Sequence, residues 1–580
     1  MNPIAPHVLQ SLVWPDPLHP DMAFTLRLNG ATCTDQTVTF EPGDRADLNT
    51  AYNAFPLAKW RGLCDLQNLS LTLTGSGDAT LTLTAGPWQK TLHLTLNTTV
   101  DLTPWLADMD APLLCVELQA RSAATLTALH WTTTQPPKRL PQLALIITTF
   151  NRQTAATATA HRFARYLADT PLAPHLHLYL IDNGQNLTLP PLPQVTVIPN
   201  RNLGGAGGFA RGLAQAHTTT ATHCLFMDDD AAVDMTSITR VWTFLAHATD
   251  PATSIAGALM RADEPHKLWE NGGYFAGLCR PLSRDGNLSD PAALITVETA
   301  SLTPPANHYG AFWFFAFALE QVRHWPFPYF VRGDDVGFCL TNPFHITTLP
   351  GVITYQDTDF PNKETPLVQY LDLRSTASLS LALPDLSRRA LNLFKGIAIL
   401  FLRCLIQCRP ESLQALNLAL RDVLTGPAYF ATHPDCAERR TQLTMRRVEV
   451  WHPAPVPLPA PRLRLNPAAP WFKPLMALTL NGLLLPFFGR WGNDLVLHQS
   501  DNPRLRHYLG AASITLVSQD GQSVLRLTHS KPAFAREIAR MLWSMTRLAL
   551  RYRHHRHAWT MGYRELASQR FWDTQFTSPK

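Results

Sequence analysis

The chain of 580 residues carries 49 Lys and Arg against 44 Asp and Glu, a net of +5, with 46% hydrophobic and only 16% charged residues. At roughly 100–200 residues per domain this length predicts three or four domains, and the low charged share excludes a coiled coil and general disorder. So slight a cationic surplus gives no ground for a nucleic-acid partner, because counterion-release binding needs a concentrated basic face.

Nine scattered cysteines form no C-x-x-C pair and no zinc-like spacing, which predicts a reduced, cytoplasmic protein. Residues 1–21 hold Pro, His and Asp where a secretion signal would have a basic start and an apolar run, and no uninterrupted apolar stretch of about 18 residues follows. The nearest approaches, residues 396–408 and 474–488, are broken by Arg403 and by Asn481 and Pro486; by length they read as buried or interfacial helices. Contact with a membrane surface stays open, and insertion does not.

From residue 23 to about 134, apolar and polar residues alternate: LTLT at 71–74, LTLT at 81–84 and TLHLTL at 91–96, separated by GSGD and AGPWQ. Period two between turn residues predicts half-buried antiparallel strands, hence a β-sandwich over residues 1–138. Residues 135–141, QPPKRLP, read as a stiff extended linker, since each proline fixes its own φ and biases its predecessor away from helix. Beyond it, short apolar runs at 143–150, 176–182, 195–199 and 223–228 alternate with helical stretches such as 154–167 and 208–217. That order predicts βαβ units and a mostly parallel sheet over residues 139–379. Residues 380–580 read as mainly helical, with a proline-rich break at 453–461, a short β-hairpin near 513–528 and a helix over 532–557.

Four polar clusters close the four parallel strands: TTFNR (148–152), DNG (182–184), NRNLGGAGG (200–208) and DDD (228–230). That edge is where open α/β sheets bind ligands. Asp228 and Asp230 would project to one side of the strand end and Asp229 to the other. Two such carboxylates suit Mg²⁺ or Mn²⁺ shared with phosphate oxygens, against the ordinary alternative of a solvated acidic turn. Glycines at 204, 205, 207 and 208 would let backbone approach a sugar or diphosphate closely. The same stretch fits G-x-G-x-x-A with Asp228 about 20 residues on, so a Rossmann-type NAD(P)-dependent oxidoreductase is the second reading. Against it, the glycines follow the third strand of the unit and not the first.

Downstream stand WENGG (269–273), YGAFWFFAF (309–317) and RGDD (332–335). Five aromatics in one strand are usually core, yet alternate side chains leave a face from which Trp313 could stack on a sugar. In Asp334–Asp335 a like-charged neighbour raises one carboxyl toward the range of a general base; a turn with two solvated acids is the equal alternative.

Taken in order, TTFNR, DNG, NRNLGGAGGF, FMDDD, FWFFAF and RGDD resemble the bacterial galactofuranosyltransferases of inverting glycosyltransferase family 2, which have a GT-A catalytic fold. LNTAYNAFPLAKW (48–60) is similar to a segment these enzymes carry in an N-terminal β-sandwich, and the helical C-terminal region corresponds as well. The resemblance implies a UDP-sugar donor held by Thr149, Phe150, Arg152, Asp182, Asn202, Gly204, Gly205, Asp228 and Asp229, with Arg152 and Asp182 on the uridine. It implies Mn²⁺ or Mg²⁺ on Asp228 and Asp230, and Asp335, the second acid of the Asp334–Asp335 pair, as catalytic base. Trp269, Glu270 and Trp313 would meet a glycan or lipid-linked glycan acceptor. The chain departs from the family in one place: a metal-ligand His is expected shortly after the base, whereas residues 352–359 read VITYQDTD, leaving Gln356 or Asp357 as substitutes.

Near the end, Arg536, Arg540, Arg547, Arg551, Arg553 and Arg556 alternate with Leu542, Trp543, Met545, Leu548 and Leu550. A basic amphipathic helix suits the anionic inner face of a cell membrane, where lipid-linked acceptors would reside; a packed terminal helix or a homo-oligomer contact is the equal alternative. The third functional reading is a non-catalytic carbohydrate-binding scaffold, against which Asp228, Asp230 and Asp335 argue.

Overall fold

The computed structural model describes residues 6–16, 22–229, 231–261, 264–356, 364–383, 386, 390–445, 448–502 and 504–577. Where Thr and Leu alternate, a strand buries one face and wets the other. Leu71 and Leu73 in Ser70–Ser76, and Leu81 and Leu83 in Asp78–Ala85, are buried between half-exposed threonines. These and neighbouring strands form a six-stranded and a five-stranded antiparallel sheet, whose apolar faces share one core with Phe55 and Trp131.

The central sheet has nine strands. Val195–Pro199, Leu176–Asp182, Leu143–Thr149 and His223–Asp228 lie side by side and parallel. In chain order these are third, second, first and fourth, a doubly wound arrangement that reverses between Leu143–Thr149 and His223–Asp228. Phe314–Ala318 continues the sheet antiparallel, followed by Thr253–Arg261, His345–Gln356 and Ala231–Val233.

Both faces are covered, so the strands read as apolar runs. Ala144 and Ile146 join a core shared with the C-terminal helices, while Leu143, Leu145 and Ile147 join the core shared with the N-terminal sheets. The aromatic strand divides likewise, Phe315 and Phe317 to one side and Phe314 to the other. The central sheet is thus the wall between the two large cores.

The C-terminal region departs from its sequence pattern in two ways. The hairpin of Ala511–Val517 and Ser523–Thr528 sits inside a four-stranded sheet with Trp451–Pro453 and Asn493–His498, the last paired parallel to Ala511–Val517. The expected single helix over 532–557 is two helices, Lys531–Leu550 and Tyr552–Leu566, because Arg551 leaves helical geometry (φ −115°, ψ 23°). The bend turns Trp559, Tyr563 and Leu566, one helical stripe, into the core.

Residues 48–60 join the N-terminal sheets to the central one. Lys59 Nζ lies 2.6 Å from Glu298 Oε2, the side chains 2% and 4% exposed, and 3.3 Å from Thr348 Oγ1. Arg240 donates to the carbonyls of Tyr52 and Pro350. Breaking a buried pair leaves one charge uncompensated, so Lys59→Met should cost about 3–5 kcal/mol, and adding Glu298→Leu should recover most of it. Denaturant unfolding of both variants, followed by tryptophan fluorescence, measures the difference.

Candidate active site at the sheet's polar edge

Parallel pairing sets the strand ends level. Thr148 is in register with Asp228, and Thr149 with Asp182. Arg152 precedes helix Gln153–Asp169 and reaches across the switch point to Asp229, Nη1 to Oδ1 at 3.4 Å. Asp229 is therefore engaged by the first cluster. Asp230 and Asp357, two of the expected metal ligands, lie outside the described residues. Gln356 is buried at the end of its strand, opposite Ala231, so it adjoins the acidic run.

Asp182 is buried and shapes the following turn: Oδ1 accepts from the Gly184 N–H at 2.9 Å, and Oδ2 from the Asn186 and Leu187 N–H groups at 2.7 Å each. Asn183 Nδ2 donates to the Gly204 carbonyl at 3.0 Å and its Oδ1 accepts from Asn200 at 2.8 Å. Asn202 Oδ1 accepts the Gly204 N–H at 3.1 Å. These bonds tie the second and third clusters into one surface. Thr149 Oγ1 is buried without a hydrogen-bond partner, and Phe150 is exposed.

The glycines do different jobs. The helix starts at Gly204, earlier than the pattern indicated, and runs to His217. Gly204 has φ +71°, with the Phe330 carbonyl where a side chain would begin. A methyl at Gly208 would lie 2.2 Å from Thr148 Cγ2, and one at Gly212 equally close to Ile146 Cγ2. Close helix–sheet packing therefore accounts for Gly208 and Gly212. Gly205 faces the site, where a methyl would make an ordinary 3.5 Å contact with Asp334 Oδ2. The glycines also follow Val195–Pro199, the edge strand, whereas a dinucleotide fingerprint follows the first strand at the switch point.

Gly333, at φ +87°, turns the chain into helix Asp334–Thr341, placing both acids in the first turn, where the helix dipole favours carboxylates. Asp335 Oδ1 accepts the Val336 N–H at 2.8 Å. Burial raises the Asp335 carboxyl to about 6, opposed by backbone N–H donors and by the Arg332 guanidinium. Burial, then Asp335 and Asp228, push Asp334 far above the usual carboxylate range. Burial and then Asp335 lift Glu270 to about 8, and its Oε1 has no hydrogen-bond partner. Asp228, Glu270, Asp334 and Asp335 thus share one electrostatic neighbourhood.

Around it, Trp313 donates its indole N–H to the Gly257 carbonyl at 3.1 Å, which fixes the ring plane. The Arg284 guanidinium lies 3.9 Å from the Trp269 ring centroid, so that ring is already in contact with a cation. Sequence reasoning missed Arg284, whose turn position gives no signal, and Tyr309, which strand pairing sets against Gly273 within the field of Glu270 and Asp335. It also missed Tyr563: a methyl at Gly337 would lie 2.1 Å from Tyr563 Oη, so a C-terminal helix buttresses the helix carrying the two acids. Among the described residues, no three His, Cys, Asp or Glu side chains form a group that could hold a metal ion.

No protein-family model matches the sequence. The chain is 25% identical over 303 residues to the galactofuranosyltransferase GlfT2 of Mycobacterium tuberculosis, covering 46% of each chain. It is 27% identical over 169 residues to the galactofuranosyltransferase GlfT1 of Mycolicibacterium smegmatis, covering 28% of this chain and 53% of that one. The chain therefore spans about half the length of these curated relatives. Among solved structures, GalNAc-T7 with UDP, GalNAc and Mn²⁺ aligns at a TM-score of 0.27 and 11% identity over 45% of this chain and 55% of its own. Mannosyl-3-phosphoglycerate synthase from Rubrobacter xylanophilus aligns at 0.28 and 13% over 41% and 74%.

The glycine assignment has a direct check. Gly208→Ala should lower stability by about 1–3 kcal/mol through overpacking, whereas Gly205→Ala should leave the melting temperature within a degree or so of wild type. Thermal unfolding followed by circular dichroism distinguishes them.

Proposed function

We propose that the protein is an inverting, metal-dependent glycosyltransferase that moves galactofuranose from a UDP donor to a hydroxyl of a glycan or lipid-linked glycan in cell-surface polysaccharide synthesis. The observation that best supports this reading is the gathering of Asp228, Glu270, Asp334 and Asp335 beside the tied loops at the switch point. The names of the two relatives point the same way. In this reading residues 1–138 are a β-sandwich, 139–379 a GT-A catalytic domain and 380–580 a mainly helical region.

The donor's nucleotide lies against Thr149, Phe150, Arg152, Asp182 and Asn202, with Gly204 and Gly205 beside the diphosphate. A divalent cation, Mn²⁺ or Mg²⁺, would take Asp228 and Asp230 as its ligands, with Gln356 or Asp357 in the place of the family's His, since oxygen donors of this kind suit such an ion. When bound, that cation neutralises charge on the diphosphate.

Asp335 takes the proton of the acceptor hydroxyl, whose oxygen bonds to the anomeric carbon as the bond to the diphosphate oxygen breaks on the opposite face, giving inversion. Val336 N–H holds one carboxylate oxygen and so orients the group. Burial and the neighbouring Asp335 disfavour the ionised form of Asp334. Trp313 offers a ring face to sugar, since its N–H is engaged by Gly257. Trp269 and Glu270 stand on the acceptor side, and Glu270, raised to about 8, keeps its proton at neutral pH and can donate to a sugar oxygen. The basic helices Lys531–Leu550 and Tyr552–Leu566 are read as facing an anionic lipid surface, with oligomer contact the alternative.

Asp335→Asn should lower transfer on the order of 10²–10⁴-fold with UDP affinity retained, measured by radiolabel transfer and calorimetry. Normal turnover would remove Asp335 from its role. Because the base acts ionised, kcat/KM should rise with pH through about 6 and then level. EDTA should abolish transfer and added Mn²⁺ restore it; activity unchanged by chelation would exclude the cation.

A further inference from the structure

Between Glu449 and Asp494 the chain has no acidic residue, while it carries Arg462, Arg464, Lys473 and Arg490. Within this span residues 471–492 fold around a small core of Phe472, Met476 and Phe488. Asn481 fixes the loop to the body of the protein: its Nδ2 donates to the Ile406 and Tyr508 carbonyls, each at 3.2 Å, and its Oδ1 accepts the Gly510 N–H at 2.6 Å. Leu480, Asn481 and Phe487 have φ of 51°, 55° and 51°, a backbone region that non-glycine residues keep only where surrounding contacts enforce it.

On this fixed frame Trp471, Leu478, Leu484 and Phe487 are 51%, 79%, 65% and 71% exposed. Large apolar side chains displayed together by an ordered loop mark a contact surface. The loop's own charges are Lys473 and Arg490, both exposed, with the Arg490 guanidinium 5.5 Å from the Phe487 ring centroid. A protein-docking patch ordinarily has a mixed polar rim; here the apolar residues are accompanied by cations alone. Aromatic and aliphatic side chains flanked by Lys and Arg match the interfacial zone of an anionic leaflet.

We propose that the loop of residues 471–490 is a docking surface for an anionic phospholipid bilayer. Its side chains enter the headgroup region while the backbone that joins the short helices Phe472–Leu478 and Phe488–Trp491 stays outside the hydrocarbon, where its N–H and C=O groups would find no partners. Among the described residues no helix is long and apolar enough to cross a membrane. Helix Ala390–Ile406, whose last carbonyl Asn481 grips, exposes Leu391, Ile399 and Leu402 and extends the apolar character beyond the loop. The two sequence stretches that came nearest to membrane character are thus joined by one side chain. This surface adjoins the start of helix Lys531–Leu550, where Lys531 donates to the Leu485 carbonyl, but it needs no donor or acceptor, so its test is independent of the glycosyl-transfer reading.

Flotation of the full chain with vesicles of equimolar phosphatidylglycerol and phosphatidylcholine, against pure phosphatidylcholine, tests it. Wild type should float with the anionic vesicles and weakly with the neutral ones. The variant Leu478→Glu, Leu484→Glu, Phe487→Glu should lose at least about tenfold in partition coefficient, because three apolar anchors are removed. Lys473→Gln with Arg490→Gln should reduce the preference for phosphatidylglycerol measurably, and a preference equal to that of wild type would overturn the role given to these two cations. Should the triple variant melt early, Phe487→Ser alone should weaken partition measurably with the melting temperature retained. Wild type that stays at the bottom of the gradient, or a folded triple variant that floats like wild type, overturns the proposal. So does sedimentation velocity showing self-association abolished by the same substitutions without flotation, which would assign the face to a second copy of the chain.

Discussion

The burial of several carboxyls close together is the constraint around which the centre of this molecule is organised. Asp228, Glu270 and the adjacent Asp334 and Asp335 come from three points of the chain; burial lifts the last three above their ordinary range, and neighbouring carboxylates add to the rise for Glu270 and Asp334. Fold stability gives no reason to assemble such a set, since each ionised member disfavours its neighbours in a low-dielectric site. Two guanidiniums, Arg332 and Arg284, and the amides at the start of helix Asp334–Thr341 offset part of the repulsion. Perturbation of this kind, at the switch point of a doubly wound sheet, is the signature of a site organised for a ligand.

Holding mutually repelling groups together requires rigid support from several sides, and the whole chain supplies it. The central sheet is fixed on one face by the core shared with the N-terminal sheets and on the other by the core shared with the C-terminal helices. Lys59 and Glu298 lock the first contact, and Thr348 links Lys59 to Asn271 beside Glu270; Tyr563 against Gly337 locks the second directly behind Asp334 and Asp335. A long C-terminal region thereby acts on the site through packing, with no need to contribute a reacting group.

What the sequence makes legible follows from the range of each interaction. Strands were readable because their cause is local: Leu and Thr alternating in Ser70–Ser76, and the apolar run of Leu143–Thr149 buried on both faces. The strand-end clusters were readable because parallel pairing necessarily aligns strand ends, as Thr148 with Asp228 shows. The Lys59–Glu298 pair was not, since its partners are 239 positions apart and neither has a local reason to be buried. Nor was the bend at Arg551, which exists because Trp559 and Tyr563 find a core that only the folded helices Pro366–Ala382 and Pro427–Thr432 create.

The glycine run shows how one sequence signal can carry two causes. Read along the chain it fits both a dinucleotide loop, the second reading, and a sugar-nucleotide loop, because both need backbone without side chains. In space each glycine has its own surroundings: Gly208 and Gly212 admit strand Leu143–Thr149, Gly204 admits the Phe330 carbonyl, and Gly205 turns toward Asp334. The helix is pressed onto the sheet closely enough that the loops before it, tied through Asn183 and Asn202, and the Asp334 carboxyl come to the same surface. Tight packing and the placing of Gly205 are therefore one requirement here, since a helix standing further from the sheet would carry Gly205 away from Asp334.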